Sequence, residues 1–247
     1  MHITEIKHDS NAEIPYHVHD SSQLLIVKSG ISKVQVENGW WLVMPETGLY
    51  IPPKIPHRAL YAKDANIVRV LFNSKNPSTL SHVSLITFSN LTNALIEEIM
   101  RLKNQEYTLE VFNQLELIYQ LLHYQVKDNL KKDNLYISDG YDKRLKYITN
   151  KLKNNPCCLD SLYQLAKEAN SSLRTINRLF EKETGLTFSQ WRHHLRMMIA
   201  IEKLLQGSSI TKIAFEVGYQ SSNSFSTAFH KYMGQPPQKY LLNYKAT

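Results

Sequence analysis

The chain of 247 residues is 43% hydrophobic and carries a formal net charge of +7. This length suits two modest domains or one large one, and the apolar content excludes a globally disordered protein. No stretch approaches the roughly 18 apolar residues of a membrane helix, and the N-terminus lacks the pattern of a signal peptide. We therefore expect no membrane partner and a cytoplasmic location.

The positive charge is concentrated in the C-terminal part of the chain. Residues 141–247 hold 16 Lys and Arg against 7 Asp and Glu, whereas residues 1–140 hold 13 against 15. A neutral-to-acidic half joined to a basic half suggests two domains, of which the second meets a polyanion such as nucleic acid. Because a charge excess is also common on plain solvated surfaces, charge alone leaves this interpretation open.

Short strands separated by turn residues dominate residues 14–72. The segments QLLIVKSG, KVQVENGWWLVM and NIVRVLF are apolar or alternating, and Asn38-Gly39 between such segments is a hairpin signal. Many short strands with regular turns predict a small β-barrel or sandwich. With SLITF at 84–88 as one further strand, we assign residues 1–88 to this domain.

The apolar period becomes helical after residue 88. The spacing predicts helices near 90–103 and 109–127. Four apolar residues of the second helix share one stripe: Phe112, Leu115, Tyr119 and Leu122. Packing on the barrel explains this stripe, and so does a homodimer seam through residues 108–127. Residues 89–127 are therefore a possible dimerisation region.

The last part of the chain, residues 142–247, is helical in pattern throughout. The polar segment 128–141 before it is interpreted as a linker. Pro156 ends a first helix near 142–153, because the residue before a proline disfavours helical backbone. Further signals are a capping box from Ser161 to Gln164, and glycine stops at Gly185 and Gly207.

One unit of helix, short turn and helix occurs twice, at about 161–183 and 210–232. Each copy has a small residue that allows close helix crossing, a serine that caps the second helix, and an i,i+4 apolar pair. The matched positions are Ala166 with Ala214, Ser172 with Ser221, Ile176 with Phe225, Phe180 with Phe229, Gly185 with Gly234, and Trp191 with Tyr240. Two copies on a basic domain predict helix-turn-helix motifs whose second helices enter the major groove of DNA.

Residues 210–240 carry a dense set of characteristic positions: Ile210, Ile213, Ala214, Gly218, Tyr219, the Ser221–Ser224 cluster, Phe225, Phe229, Gly234, Pro237 and Tyr240. This set resembles the signature of the AraC family of bacterial transcription regulators, and the first unit matches in SSLRTINRLFEKETG. The resemblance covers roughly residues 142–242. It implies double-stranded operator DNA as partner, with the two recognition helices in adjacent major-groove segments, and RNA polymerase as a further partner of an activator.

The resemblance also implies which residues meet DNA. In the first motif the positions are Ser172, Arg174, Thr175, Asn177 and Arg178. In the second motif they are Ser221, Ser222, Asn223, Ser226 and Thr227, with His230 and Lys231 as phosphate contacts. Arginine reads guanine and asparagine reads adenine, whereas serine and threonine hydroxyls discriminate bases poorly. Several relatives carry an arginine where Thr227 stands, so we expect the second motif to contribute more to phosphate positioning and DNA shape.

The N-terminal half contains His17-x-His19, then Gln23, and a later segment that ends at His57. This pattern resembles a cupin barrel, in which histidines and one acidic residue hold a divalent metal. His17, His19 and His57 take the three histidine places, Gln23 replaces the acid, and Lys54 replaces a common glycine. Imidazole suits iron, copper, nickel or zinc, whereas a neutral glutamine is a poor ligand.

Three roles stay open for these histidines: metal ligands, the lining of an effector pocket, or structural side chains. The pocket residues would be His17, His19, Gln23, Trp41 and His57. Apart from a possible divalent metal at the histidines, no cofactor is indicated.

Three functions compete for the whole chain. The first is a transcription regulator, activator or repressor, that responds to a small-molecule effector in the barrel. The second is a metal-dependent cupin enzyme or metal sensor fused to a DNA-binding domain, and the missing acidic ligand argues against the enzyme. The third is an architectural DNA-binding protein, which would not need a separate N-terminal half. We therefore predict a non-enzymatic regulator with an α+β fold, in which a cupin-like barrel and helices precede an all-α domain with two helix-turn-helix motifs.

Overall fold

The computed structural model describes residues 2–9, 11–62, 64–72, 80–106, 108–130 and 135–246. The chain forms two compact units, one of residues 1–32 and 43–133 and the other of residues 33–42 and 134–247. No helix of the described ranges is long and apolar enough to cross a membrane.

A five-stranded antiparallel sheet is the centre of the first unit. Its strands lie in the order β1-β8-β3-β6-β9. They are β1 (His2–His8), β3 (Gln23–Ser29), β6 (Thr47–Ile51), β8 (Ala65–Leu71) and β9 (Ser84–Thr87). The predicted strand at 84–88 is therefore confirmed, whereas β1 lies outside the range in which the sequence predicted strands.

The other strands belong to a second sheet. In the first unit β2 (Ala12–His17) pairs antiparallel with β7 (His57–Tyr61), with a register irregularity between Ile14 and His17. A turn at Glu37-Asn38 joins β4 (Ser32–Val36) to β5 (Gly39–Val43), so that Gly39 of the predicted Asn38-Gly39 turn begins β5. The two-sheet β domain agrees with the predicted fold class, and closure into a barrel stays a prediction.

Two helices cover one face of the five-stranded sheet. Helix α1 (Asn90–Lys103) and helix α2 (Leu109–Asp128) begin and end close to the predicted bounds. The stripe of α2 that the sequence offered as a dimer seam packs inward, because Tyr119 and Leu122 are buried in the core and Leu115 contacts it. Packing thus accounts for three residues of the stripe, whereas Phe112 is 42% exposed, and the homodimer stays a prediction. The outward face of α2 carries other apolar residues: Leu117, Leu121 and Tyr124.

Seven helices follow in the second unit among the described residues. They are α3 (Lys143–Asn154), α4 (Leu162–Glu168), α5 (Leu173–Thr184), α6 (Phe188–Leu205), α7 (Ile210–Glu216), α8 (Ser222–Met233) and α9 (Pro237–Ala246). The predicted capping box of Ser161 and Gln164 starts α4, and Gly185 ends α5 in the left-handed conformation. The matched alanines Ala166 and Ala214 are buried, as close helix crossing requires.

The segment interpreted as a linker contains a strand. Residues 131–134 of this segment lie outside the described residues, but Tyr136–Ser138 forms β10, which pairs antiparallel with β5. Leu135 and Ile137 are buried. The linker prediction is wrong for these residues, because a long-range strand partner orders a segment whose local sequence has no clear period.

Candidate nucleic-acid interface and ligand site

Both helix pairs turn through a residue in the left-handed backbone region. Asn170 has a φ of 51° between α4 and α5, and Gly218 has a φ of 82° between α7 and α8. Asparagine tolerates this region better than most residues, and glycine adopts it freely. A Cβ at Gly218 would lie 2.7 Å from the Arg196 guanidinium and 3.0 Å from the Cα of Cys157. The second corner therefore also needs glycine for close approach.

Helix α5 presents two arginines and an asparagine on one exposed face. The Ser172 hydroxyl accepts a hydrogen bond from the Thr175 backbone N–H at 3.1 Å and caps the helix, as predicted. The buried face consists of Ile176, Leu179 and Phe180. Because the predicted base-reading residues lie on the opposite face, all three are exposed: Arg174, Asn177 and Arg178. The half-buried Thr175 lies beside the cap.

Helix α8 has a neutral polar face instead. The Ser221 hydroxyl caps the helix by accepting a hydrogen bond from the Ser224 N–H at 3.1 Å. Asn223 and Thr227 are exposed, and the Thr227 hydroxyl donates to the Asn223 carbonyl at 3.0 Å. The remaining predicted contacts are the half-buried Ser222 and Ser226 and, in the last turn, the exposed His230 and Lys231.

Arg196 of α6 ties the corner of the second motif to the loop after α3. Its guanidinium donates to the carbonyls of Pro156, Cys158 and Gly218 at 3.1, 3.3 and 3.5 Å. Burial lowers the pKa of this side chain, with the charge of Arg192 acting in the same direction. The sequence analysis missed Arg196, because its three hydrogen-bond acceptors are backbone carbonyls. Any residue type provides a backbone carbonyl, so the sequence contains no signal for these bonds.

In the first unit, His17, His19 and His57 come together where β2 pairs with β7. One candidate ligand nitrogen from each ring lies within 4.8 Å of the others. The Nδ1 atoms of His17 and His57 donate to the carbonyls of Pro15 and Ile55 at 2.8 and 2.9 Å, because a carbonyl can only accept. Nε2 is therefore the nitrogen of each of these two rings that is left to bind a ligand.

Burial acts on two histidines of this cluster. It lowers the pKa of His57 to about 4, while the bond to the Ile55 carbonyl opposes the change. Burial also lowers the pKa of His19, and the charges of His17 and Arg69 act in the same direction. Neutral imidazole is the form that binds a metal or accepts a hydrogen bond from a ligand.

The other two predicted pocket residues differ from each other. Gln23 is buried, and a hydrogen bond between its side chain and His19 opposes the lowering of the His19 pKa. Trp41 belongs to the second unit, where it stacks on Tyr136 with ring centroids 4.5 Å apart. Contact of Trp41 with an effector therefore stays a prediction.

Comparison with known proteins identifies both halves of the chain. The AraC-like ligand binding domain matches residues 2–69, and the Helix-turn-helix domain matches residues 165–243. The HTH-type transcriptional regulator NimR from Escherichia coli K12 is 26% identical over 227 residues, which span 92% of this chain and 82% of NimR. The chain belongs to the AraC family of transcription regulators. As a member of the AraC family, it is a DNA-binding transcription regulator with an N-terminal ligand-binding domain.

Other AraC-family similarities extend over nearly the whole chain. The HTH-type transcriptional activator RhaS from Shigella boydii serotype 18 is 24% identical over 246 residues, which span 92% of this chain and 87% of RhaS. A structure of ToxT from Vibrio cholerae aligns with 98% of this chain and 97% of its own at 16% identity, with a TM-score of 0.42 that is too low to carry a conclusion. Both relatives, NimR and RhaS, are named as transcription regulators.

Proposed function

We propose that this AraC-family regulator recognises a specific double-stranded DNA site with α5 as its base-reading helix, under the control of a small molecule bound in the first unit. The observation that carries the proposal is the exposed face of α5, where Arg174, Asn177 and Arg178 lie opposite the buried stripe. Guanidinium and carboxamide groups are the side chains that pair bidentately with guanine and adenine in the major groove. A regulator of this kind acts on chromosomal DNA in the cytoplasm.

Helix α8 has a different part in this proposal. Its N-terminal face offers small hydroxyls and Asn223, and Thr227 already donates its proton inside the helix. We therefore assign to α8 the reading of DNA shape and the contact with phosphates, the latter through the exposed His230 and Lys231. Small side chains at the N-terminus also allow the helix to approach the groove closely.

Selection from a random duplex library tests this assignment. The full-length protein should enrich sequences with two elements about one helical turn apart, since each motif occupies its own major-groove segment. The better-defined element should belong to α5. The assignment would be overturned if no sequence were enriched. It would also be overturned if the better-defined element belonged to α8.

We place the small-molecule effector beside His17, His19 and His57, and the same residues fit a divalent metal. Their candidate nitrogens converge, and backbone carbonyls orient two of the rings, as in the outer shell of many metal-bound histidines. The donor set suits zinc, nickel, copper or iron, and a bound metal would supply open positions for an effector. Because Gln23 stands where cupin enzymes carry an acid, the site is better suited to binding than to turnover.

Metal content of the purified, tag-free protein tests the metal at this site. Mass spectrometry should find near-stoichiometric metal in the wild type and loss of it in His17→Ala. His82→Ala, which changes an exposed histidine of the same unit, is the matched control. Metal-free wild-type protein that is folded and binds DNA would remove the metal from the proposal and leave an organic effector.

The coupling of effector to DNA would use residues 33–42. In the sequence they lie within residues 2–69, which match the AraC-like ligand binding domain. In the structure they belong to the second unit. The Leu42 N–H donates to the Leu135 carbonyl at 2.9 Å, and the Lys33 ammonium lies 3.1 Å from the Glu202 carboxylate of α6. An effector would regulate DNA binding if it bound one state of the protein more tightly than another.

A homodimer through residues 108–127 would use the outward face of α2. Leu117, Leu121 and Tyr124 are 63%, 49% and 65% exposed and follow one another at helical spacing. Replacing both leucines by glutamate should convert a dimer to a monomer in analytical ultracentrifugation, without loss of fold. A wild type that sediments as a monomer at micromolar concentration would contradict the dimer.

A further inference from the structure

Arg69 lies on the face of the five-stranded sheet that is turned away from the helices. In β8 it is opposite Leu25 of β3 and Thr4 of β1. Its neighbours Val68 and Val70 belong to the hydrophobic cluster formed with α1 and α2. Because successive side chains in a strand point to opposite faces, the Arg69 side chain leaves the sheet on the other side.

The three arginines of the first unit differ in their partners. The Arg58 guanidinium lies 3.2 Å from the Glu13 carboxylate, and that of Arg101 lies 2.6 Å from Glu98. For Arg69 no ion pair is found among the described residues, and its Nε is buried without a hydrogen-bond acceptor. A buried cationic donor without an acceptor is costly, so a group that completes it would bind favourably.

The surroundings of Arg69 connect it with the histidine cluster. Its charge acts on His19, where it adds to the lowering of the pKa by burial. It also acts on Tyr61, where burial raises the pKa to about 12 and the arginine opposes the rise. Gln23 leaves β3 on the same face as Arg69, two residues from Leu25, which is directly opposite it.

Several more polar atoms at this place have no hydrogen-bond partner among the described residues. They include His8 Nε2 and His57 Nε2. The His8 ring stacks on Tyr61 with centroids 4.5 Å apart, so His8 belongs to the residues around Arg69. Buried polar atoms are normally paired, and a cluster of unpaired ones is typical of a site that a ligand completes.

We propose that the effector of this regulator carries a carboxylate, which the Arg69 guanidinium binds through paired N–H···O hydrogen bonds. This inference rests on the proposed function, because it names the chemical class of the effector. Arginine and carboxylate match in geometry as well as charge, since the planar fork of the guanidinium faces two oxygens. One guanidinium compensates one negative charge, which favours a carboxylate over a phosphate dianion.

Pairs of acids and their uncharged amides test the proposal in the full-length protein. Acetate, hexanoate and benzoate would be compared with acetamide, hexanamide and benzamide by thermal unfolding at constant ionic strength. At least one acid should raise the Tm saturably, and its amide should not. Arg69→Gln should weaken the binding of that acid at least tenfold. Arg58→Gln, which removes a guanidinium paired on the surface, should leave it unchanged.

Either of two outcomes of these binding measurements overturns the proposal. One is a panel in which no acid stabilises the wild type more than its amide. The other is an Arg69→Gln protein that binds the acid as tightly as the wild type. If Arg69→Gln fails to fold, the binding measurement is repeated with Arg69→Lys. The wild-type protein with ¹⁵N-labelled arginine is then also titrated with the acid and followed by NMR. The Arg69 Nε–H signal should then shift on titration with the acid, and an unmoved signal would equally overturn the proposal.

The same preparations separate this inference from the proposed function. Binding of the selected DNA by wild-type protein without any acid depends on the helix-turn-helix motifs alone. If the protein binds the selected DNA but binds none of the acids, only the proposal of a carboxylate effector is refuted. Absence of sequence-specific DNA binding, with an acid bound, would refute the proposed function and leave the anion site standing.

Discussion

Tyr232 donates its hydroxyl proton to Nδ1 of His194, so that a side chain of α6 holds a side chain of α8. The other ring nitrogen of His194, Nε2, lies 2.6 Å from the Tyr136 carbonyl and must donate to it. Burial lowers the pKa of His194, which keeps the ring neutral and in the single tautomer that serves both bonds. Tyr136 lies in β10 and stacks on Trp41 of β5. His194 therefore connects the strand pair β5–β10 to the second recognition helix, α8.

Replacing His194 by phenylalanine should weaken this junction, because the aromatic ring stays but both hydrogen bonds are lost. We expect a loss of about 1–3 kcal/mol in the free energy of unfolding, measured by urea titration. Tyr232→Phe removes only one of the two bonds and should cost less.

The double variant decides whether the two side chains act together. His194→Phe combined with Tyr232→Phe should cost less than the sum of the single changes by at least about 0.5 kcal/mol. Fully additive losses would mean that the two groups do not interact in solution.

Gly218 should be far less replaceable than Gly234, although both have positive φ angles of 82° and 75°. A Cβ at Gly218 would meet Arg196 and Cys157, whereas a Cβ at Gly234 would have nothing within 4 Å. Gly234→Ala should therefore cost about 1 kcal/mol of stability from backbone strain alone. Gly218→Ala should cost about 3 kcal/mol, because steric overlap is added. Equal unfolding midpoints for the two variants in urea would show that the corner has room to relax.

Arg178→Ala should relax the choice of base at one position of the DNA site. The expected cost is about 1–3 kcal/mol for the preferred base and little for the other bases, measured by fluorescence anisotropy on duplexes varied at each position. Lys231→Ala is the matched comparison, since we assign it to a phosphate. It should weaken binding to all duplexes alike and reduce the salt dependence. A uniform loss for Arg178→Ala would reassign this residue to the phosphate backbone.

Much of the C-terminal part could be predicted from the sequence because its signals are local. Ser172 and Ser221 cap their helices, and the apolar stripes of α5 and α8 are buried as the spacing predicts. Strand β10 was not predictable, because it depends on β5, a partner distant in sequence. Arg69 was missed for the same reason, since an arginine in an alternating strand reads as a solvated residue until its surroundings are known.

Stability should fall as the pH is lowered below about 6.5. The pKa of His57 is 6.5 in the unfolded chain and about 4 in the folded protein, so the unfolded state binds more protons between these values. The contribution of neutral His57 to the free energy of unfolding is fully present above this pH window and is lost as the pH falls through it. This contribution is at most roughly 3 kcal/mol.

Chelator-treated protein unfolded in urea at several pH values tests this dependence. His57→Gln should flatten the slope between about pH 4 and pH 6.5. An unchanged slope in this variant would assign the pH dependence to other groups.

The central claim is tested most directly by one affinity ratio. The wild-type protein would be titrated at one fixed salt concentration against the duplex obtained by selection and against a scrambled duplex of equal length and composition. We expect binding to the selected duplex to be at least about a thousandfold tighter. A ratio near one would contradict sequence-specific regulation and would mean that the basic unit holds DNA through its charge alone.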